Sequence, residues 1–173
     1  MKPILQTEHL ILREFNTSDA AFIIQLVNSE GWLKYIGDRN IKTIEQAENY
    51  LLNGPLKSYA ENGFGLSMVA LKKTKTPIGM CGLIKRDTLP HIDIGFAFLE
   101  EFMGKGYAYE MASAVLNFAK NNLKQAIILA ITLPTNERSI HLLNKIGMGF
   151  DKYFSFDGST EELMLFCSEA LLD

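Results

Sequence analysis

The stretch "DIGFAFLEEFMGKGYAYEM" (residues 93–111) decides how the chain is read. It begins as a strand and ends in the first turn of an amphipathic helix, along which Met111, Val115 and Phe118 recur on one side. Between the two lie Gly104 and Gly106, one residue apart. Glycines there let the backbone take unusual dihedrals and be approached closely. A helix start also carries unpaired amides and the positive end of the helix dipole, which suits an anion, phosphate above all. A plain strand-to-helix turn can use glycines too, so the surroundings must decide. Three phosphate loops fail on spacing. The P-loop needs G-x-x-x-x-G-K-[ST], whereas Lys105 lies between the glycines. The dinucleotide fingerprint wants a third glycine where Tyr109 stands, and a parallel unit where the preceding strands read as antiparallel. A kinase glycine loop needs a downstream catalytic set that this short chain lacks.

Upstream, "GLSMVALKK" (65–73), "PIGMCGLIK" (77–85) and "HIDIGFAFL" (91–99) share a period of two and form an antiparallel meander, the first two joined by a turn at Thr74 to Thr76. Before them come a strand, "HLILREF" (9–15), and a helix, "NTSDAAFIIQLVN", with Thr17 or Ser18 as its cap and Gly31 as its end. A second helix, "TIEQAENYLLNGPLKSYAEN", opens on a Thr43/Gln46 capping box and should kink or break at Gly54-Pro55. Downstream, "AIILAITL" (126–133) reads as a strand buried on both faces. "NERSIHLLNKIGM" is a helix closed by Gly147, and "GFDKYFSF" and "EELMLFC" are strands joined at Asp157-Gly158. The order β-α-α-β-β-β-α-β-α-β-β predicts an α/β protein. One mixed sheet carries helices on both faces, in a single domain spanning 1–173.

Composition removes other classes. Charged residues make up 21% and formal net charge is -3, with no basic block, which disfavours a nucleic-acid or membrane-surface partner. Cys81 and Cys167 are far apart, each in an apolar run, and are expected to be buried reduced thiols. His9, His91 and His141 form no ligand spacing, so no metal is expected. The opening "MKPILQTEHL" has no signal-peptide core and no apolar run is long enough to span a bilayer, so a cytoplasmic protein is expected.

The glycine stretch resembles the coenzyme-A loop of the GNAT N-acetyltransferase superfamily, Q/R-x-x-G-x-G/A. Here it reads Glu101-Phe-Met-Gly104-Lys-Gly106, with Glu101 departing from the usual Gln or Arg. "DIGFAFLEEFMGKGYAYEM", "TEHLILREF" (with His9 in place of Arg) and "NERSIHLLNKIGM" together resemble the RimJ/RimL-type subgroup, which acetylates protein N-termini. The resemblance runs in order along nearly the whole chain. It implies a GNAT fold and direct transfer of an acetyl group from acetyl-coenzyme A to an amine, on a protein N-terminus or a small molecule. The alternative is a catalytically silent coenzyme-A-binding sensor or interaction module.

By that resemblance the pyrophosphate lies on the amides of Met103, Gly104, Lys105, Gly106, Tyr107 and Ala108. The pantetheine arm pairs with the free backbone of Phe96, Ala97 and Phe98. The Phe98 amide would polarise the thioester carbonyl. Asn136 matches the asparagine that bonds the pantetheine arm, and Asn also suits a helix N-cap. An ammonium has no lone pair, so a base is needed. Asp93 leads, where the subgroup has Glu, with Glu14 a weaker alternative and a solvated strand carboxylate the bland reading. Many members protonate the leaving thiolate with a tyrosine, but that position is Leu143. Ser139 is the candidate in its place, unless it merely bonds back to its own helix. Trp32 and Tyr35 lie where relatives shape the acceptor pocket, although core packing suits at least one of them. The state is a monomer or a homodimer.

Overall fold

The computed structural model describes residues 3–169. Eight strands form one sheet: β1 (Leu5–Gln6), β2 (Leu10–Arg13), β3 (Leu66–Leu71), β4 (Pro77–Ile84), β5 (Asp93–Phe98), β6 (Leu129–Thr132), β7 (Gly149–Phe154) and β8 (Leu163–Cys167). Their order across it is β1-β2-β3-β4-β5-β6-β8-β7, and every neighbouring pair is antiparallel except β5 and β6. The helices are α1 (Ala20–Val27), α2 (Glu30–Tyr35), α3 (Ile44–Leu51), α4 (Lys57–Asn62), α5 (Tyr107–Asn121) and α6 (Glu137–Lys145).

Central strands are buried on both faces, so their alternation sorts side chains into two cores. Val69, Cys81 and Ile94 point to one face, where Met111, Val115 and Ala119 of α5 cover them. Met68 and Met80 point to the other, where Ile23 and Leu26 of α1 and Ala47 and Leu51 of α3 meet them. Both cysteines are buried free thiols, and burial pushes Cys81 up to about 12, which leaves it unreactive at neutral pH.

Local chemistry moved several boundaries. The Asn16 side chain, not Thr17 or Ser18, caps the first helical segment by accepting the Ser18 N–H; a 3-10 turn, Thr17–Asp19, precedes α1. That helix stops at Val27, and Gly31 lies inside α2 rather than ending α1. The Thr43/Gln46 capping box forms with both of its bonds. Pro55 has no N–H to continue an α-helical ladder. The expected break is therefore a π turn, Leu52–Leu56, between α3 and α4. β1 is an extra edge strand that two residues of pattern could not announce. β6 is shorter than 126–133, because the Ile128 N–H goes to the Ser168 hydroxyl instead of a ladder partner.

Candidate functional site

The sheet fails at one place. β5 is the fifth of eight strands, yet its residues 95–97 are only partly buried. It meets β6 in register only at Asp93 and Leu129, with the Leu129 N–H donating to the Ile92 carbonyl at 2.9 Å. Beyond that point the two parallel strands separate. On its other edge β5 stays paired with β4 along its whole length.

Alternation of the ladder fixes which groups are free. Ile92 bonds towards β6, and the Leu99 N–H donates to Ile78 of β4. The Asp93–Leu129 bridge also takes the Ile94 N–H, so the even-numbered groups left facing the gap are the Ile94 C=O and the N–H and C=O of Phe96 and Phe98. Ala97 is a correction, since its backbone is turned to β4 opposite Met80. The Phe98 side chain is buried in the core beneath α5, so only its backbone is offered to the cleft.

β5 then runs through a 3-10 turn, Glu100–Phe102, into the glycine loop. Gly104 and Gly106 both have positive φ, 71° and 83°, and an added Cβ would have no atom within 4 Å at either. The glycines are there for conformation, beside open space, and not for packing. Among the described residues no acceptor meets the N–H groups of residues 104–109, and the first bonded amide of α5 is Glu110, to the Gly106 carbonyl. The Met103 N–H is a second correction: it already donates to the Glu100 carbonyl at 3.0 Å. The row of free amides thus starts one residue later than the resemblance implied. Free amides in a row at a helix start can hold an anion such as a phosphate.

Cations surround this row of amides. Lys105 is exposed on the loop, its Nζ 5.4 Å from the Phe102 ring. The Arg138 guanidinium of α6 donates to the Met103 sulfur at 3.3 Å, and Lys145 lies over the Tyr109 ring at 4.7 Å. Sequence reading missed Arg138 and Lys145, because nothing in a helical repeat says which of its exposed cations turns towards a loop over thirty residues away. The Glu100 carboxylate accepts the Gly31 N–H at 2.7 Å and ties α2 to the same loop.

α6 begins where β6 leaves the gap. Asn136 caps it, accepting the Ser139 N–H on Oδ1 at 3.2 Å, and its amide NH₂ has no partner among the described residues. The Ser139 hydroxyl is half-buried and bonds to nothing among the described residues, so it does not bond back to its own helix. Leu143 is fully buried among apolar side chains beneath the sheet.

At the other end of β5 stands Asp93, 1% exposed, so it is no solvated carboxylate. Arg86, just after β4, donates from Nε to its Oδ1 at 2.9 Å, while Oδ2 is buried with no partner among the described residues. Burial pushes the Asp93 carboxyl up, and the Arg86 guanidinium pulls it partly back. Glu14 is exposed beside a small cavity under the α4–β3 loop, with Tyr59 and Phe118. That cavity lies away from the gap. Trp32 belongs to the core shared with α1 and α3, 5% exposed, with its indole N–H unpartnered; Tyr35 is half-buried beneath Lys34. His9 is exposed and paired with Glu110 at 2.9 Å.

The mixed sheet thus parts beside a glycine-lined row of free amides. Residues 9–149 match the acetyltransferase (GNAT) domain family, and the chain belongs to that family of N-acetyltransferases. It is 30% identical over 154 residues to an uncharacterized N-acetyltransferase, YoaA, of Bacillus subtilis (strain 168), covering 88% of this chain and 85% of that one. Its fold matches an acetyltransferase from Agrobacterium tumefaciens (TM-score 0.80, 22% identity, 96% and 94% of the two chains). It also matches a RimL ribosomal L7/L12 alpha-N-protein acetyltransferase in complex with coenzyme A (TM-score 0.79, 14% identity, 96% and 97%).

Proposed function

We propose that this chain transfers an acetyl group from acetyl-coenzyme A to a primary amine in the gap between β5 and β6. The observation that carries the reading is the single central strand that loses its neighbour at Asp93 and leads into a row of unpaired amides at residues 104–109. The residues fit the cofactor. Gly104 to Tyr109 would take the pyrophosphate, with Lys105, Arg138 and Lys145 as nearby cations. The Phe96 backbone and the Asn136 amide would hold the extended arm as an added strand is held. Bound acetyl-coenzyme A supplies a thioester-activated acetyl group.

The chain's own groups do the rest. The Phe98 N–H donates to the acyl oxygen, which gains charge as the amine attacks; such a donor is worth about 10²–10³ in rate. Asp93 takes the proton that the amine must lose, through a water because its free oxygen is covered. Ser139 offers its free hydroxyl to the departing sulfur. A hydroxyl is a poor acid, so its part is orientation. The test is thermal unfolding with acetyl-coenzyme A, against ATP and NAD, followed by thiol release with an amine panel. A ligand at 100 times its Kd stabilises by ~2.7 kcal/mol. Stabilisation by ATP or NAD, with none by acetyl-coenzyme A, would overturn the reading.

A further inference from the structure

We propose that Arg86 binds the acceptor's carboxylate, so that the preferred acceptor is an amine with a carboxylate on the neighbouring carbon, an α-amino acid. The inference rests on Asp93 taking the amine's proton. Its basis is the way the Arg86–Asp93 pair is left half used. Arg86 spends only Nε on Asp93, at 2.9 Å, and its two terminal nitrogens bond to nothing among the described residues. The Arg86 side chain is 35% exposed while Asp93 is 1% exposed, so an incoming acceptor meets the guanidinium first. Asp93 in turn keeps one oxygen buried and unpartnered. The pair thus presents a two-pronged donor to solvent, with an unpaired carboxylate oxygen covered behind it.

A guanidinium edge matches the two oxygens of a carboxylate, and the donors are preorganised when the arginine is anchored elsewhere. Asp93 is that anchor. An α-amino acid carries the complementary pair, carboxylate and amine on adjacent atoms. Polyamines carry cations that Arg86 would repel. The pair sits at the foot of the gap, at the opposite end of β5 from the amide cradle, which is where an acceptor must enter if the cofactor arrives from the loop.

The surroundings agree. Asp93 lies on the same face of β5 as Gly95, and a Cβ on Gly95 would sit 3.0 Å from Ile84 and 3.3 Å from Leu66. Those two side chains line a groove of about 270 Å³ together with Gly54 and Pro55 of the π turn and with Lys85. The groove adjoins the pair through Ile84, the β4 partner of Asp93, and would take the rest of an amino acid. Arg86 is the charged group that acts on Asp93; its strand partners Ile84 and Leu129 are apolar, Cys167 lies beyond Leu129, and Lys85, Asp87 and His91 of the connecting loop are exposed.

The experiment measures acetylation of amino acids, their amides and their decarboxylated amines, with spermidine as a further amine, by the full chain and by Arg86→Lys and Arg86→Met. Acids should be preferred by the wild type. Arg86→Lys should lower kcat/KM for acids roughly 10²-fold more than for decarboxylated amines, with the difference in KM. Asp93→Asn, which keeps an oxygen for Nε, should lower kcat for every amine. Equal losses across acids, amides and decarboxylated amines would reduce Arg86 to a structural partner of Asp93 and overturn the inference. So would preference for amides, spermidine or decarboxylated amines, or silence towards the whole panel by protein that binds acetyl-coenzyme A. Failure to bind acetyl-coenzyme A would instead remove the proposed function beneath it. A melt of each variant with acetyl-coenzyme A separates loss of recognition from loss of fold.

Discussion

Replacing Gly104 and Gly106 by alanine separates the two things the loop does. Each glycine has positive φ, and an added Cβ meets nothing at either site. The cost to folding is therefore conformational alone, about 1–2 kcal/mol per site for a left-handed L-residue. For a chain of this length that lowers Tm by roughly 2–4 °C per kcal/mol. The cost to acetyl-coenzyme A is separate. If a methyl keeps phosphate from one N–H, it removes a charged hydrogen bond worth about 1.5–3 kcal/mol, tenfold or more in Kd. At a concentration 100 times the wild-type Kd, the ligand stabilises the native chain by ~2.7 kcal/mol. A tenfold weaker variant keeps about 1.4 kcal/mol of this, and a hundredfold weaker double variant only about 0.4 kcal/mol. Differential scanning fluorimetry with and without acetyl-coenzyme A reads both quantities. Gly37→Ala is the control: φ there is 98°, an added Cβ is again in open space, and the residue follows α2. It should lose stability and keep the full ligand shift. Gly104→Ala and Gly106→Ala proteins that fold, melt lower and still show the wild-type ligand shift would refute the amide cradle.

Three further outcomes are expected. Ser139→Ala should lower kcat about tenfold or less with KM for acetyl-coenzyme A unchanged, as fits a neutral hydroxyl that orients a leaving group; a loss of several thousandfold in steady-state assays would make Ser139 the acid. Asp93 has a raised carboxyl, so between the unfolded and the native pKa the native state holds a proton that the unfolded chain has released, and its contribution to stability falls as pH rises through that window. Asp93→Asn should therefore melt no lower than wild type at neutral pH while losing activity, and the acid limb of the wild-type kcat/KM profile should lie above the ordinary carboxylate range; a clear drop in Tm contradicts this. Trp32→Phe removes a buried N–H that has no partner, so the usual hydrogen-bond loss is missing and the cost should stay within about 1.5 kcal/mol in urea titrations, with any rise in acceptor KM marking that N–H as a ligand contact.

The elements were legible where pattern and packing agree. "GLSMVALKK" and "PIGMCGLIK" were legible because two apolar runs, buried on both faces, are separated by a short turn at Thr74 to Thr76, and the Thr43/Gln46 box acts within one turn. The α1 boundary was not, because Asn16, Thr17 and Ser18 are all competent caps and the choice fell to the one whose oxygen reaches the Ser18 amide. The glycine loop was legible as an anion site, but the spent Met103 amide was not, since its acceptor is the Glu100 carbonyl in a 3-10 turn that no side chain announces. Ala97 failed for a related reason. A motif names residues, while strand parity decides which edge of the backbone each presents.

Asp93 is the case where sequence reasoning chose a residue and missed its circumstances. As a strand carboxylate, it read equally well as a base or as a solvated charge. Its burial and its partner Arg86 exclude solvation, and both come from tertiary structure. A buried carboxylate with one oxygen unpaired is a cost that a stability-driven sequence would remove, because a buried ion pair often stabilises less than apolar replacements of the same shape. The position is also where the ladder between β5 and β6 ends. A costly charge placed at the point where a sheet opens is explained by what the opening admits. That is the physical argument for the acceptor end of the site lying at Arg86 and Asp93, and the cofactor end at the glycines.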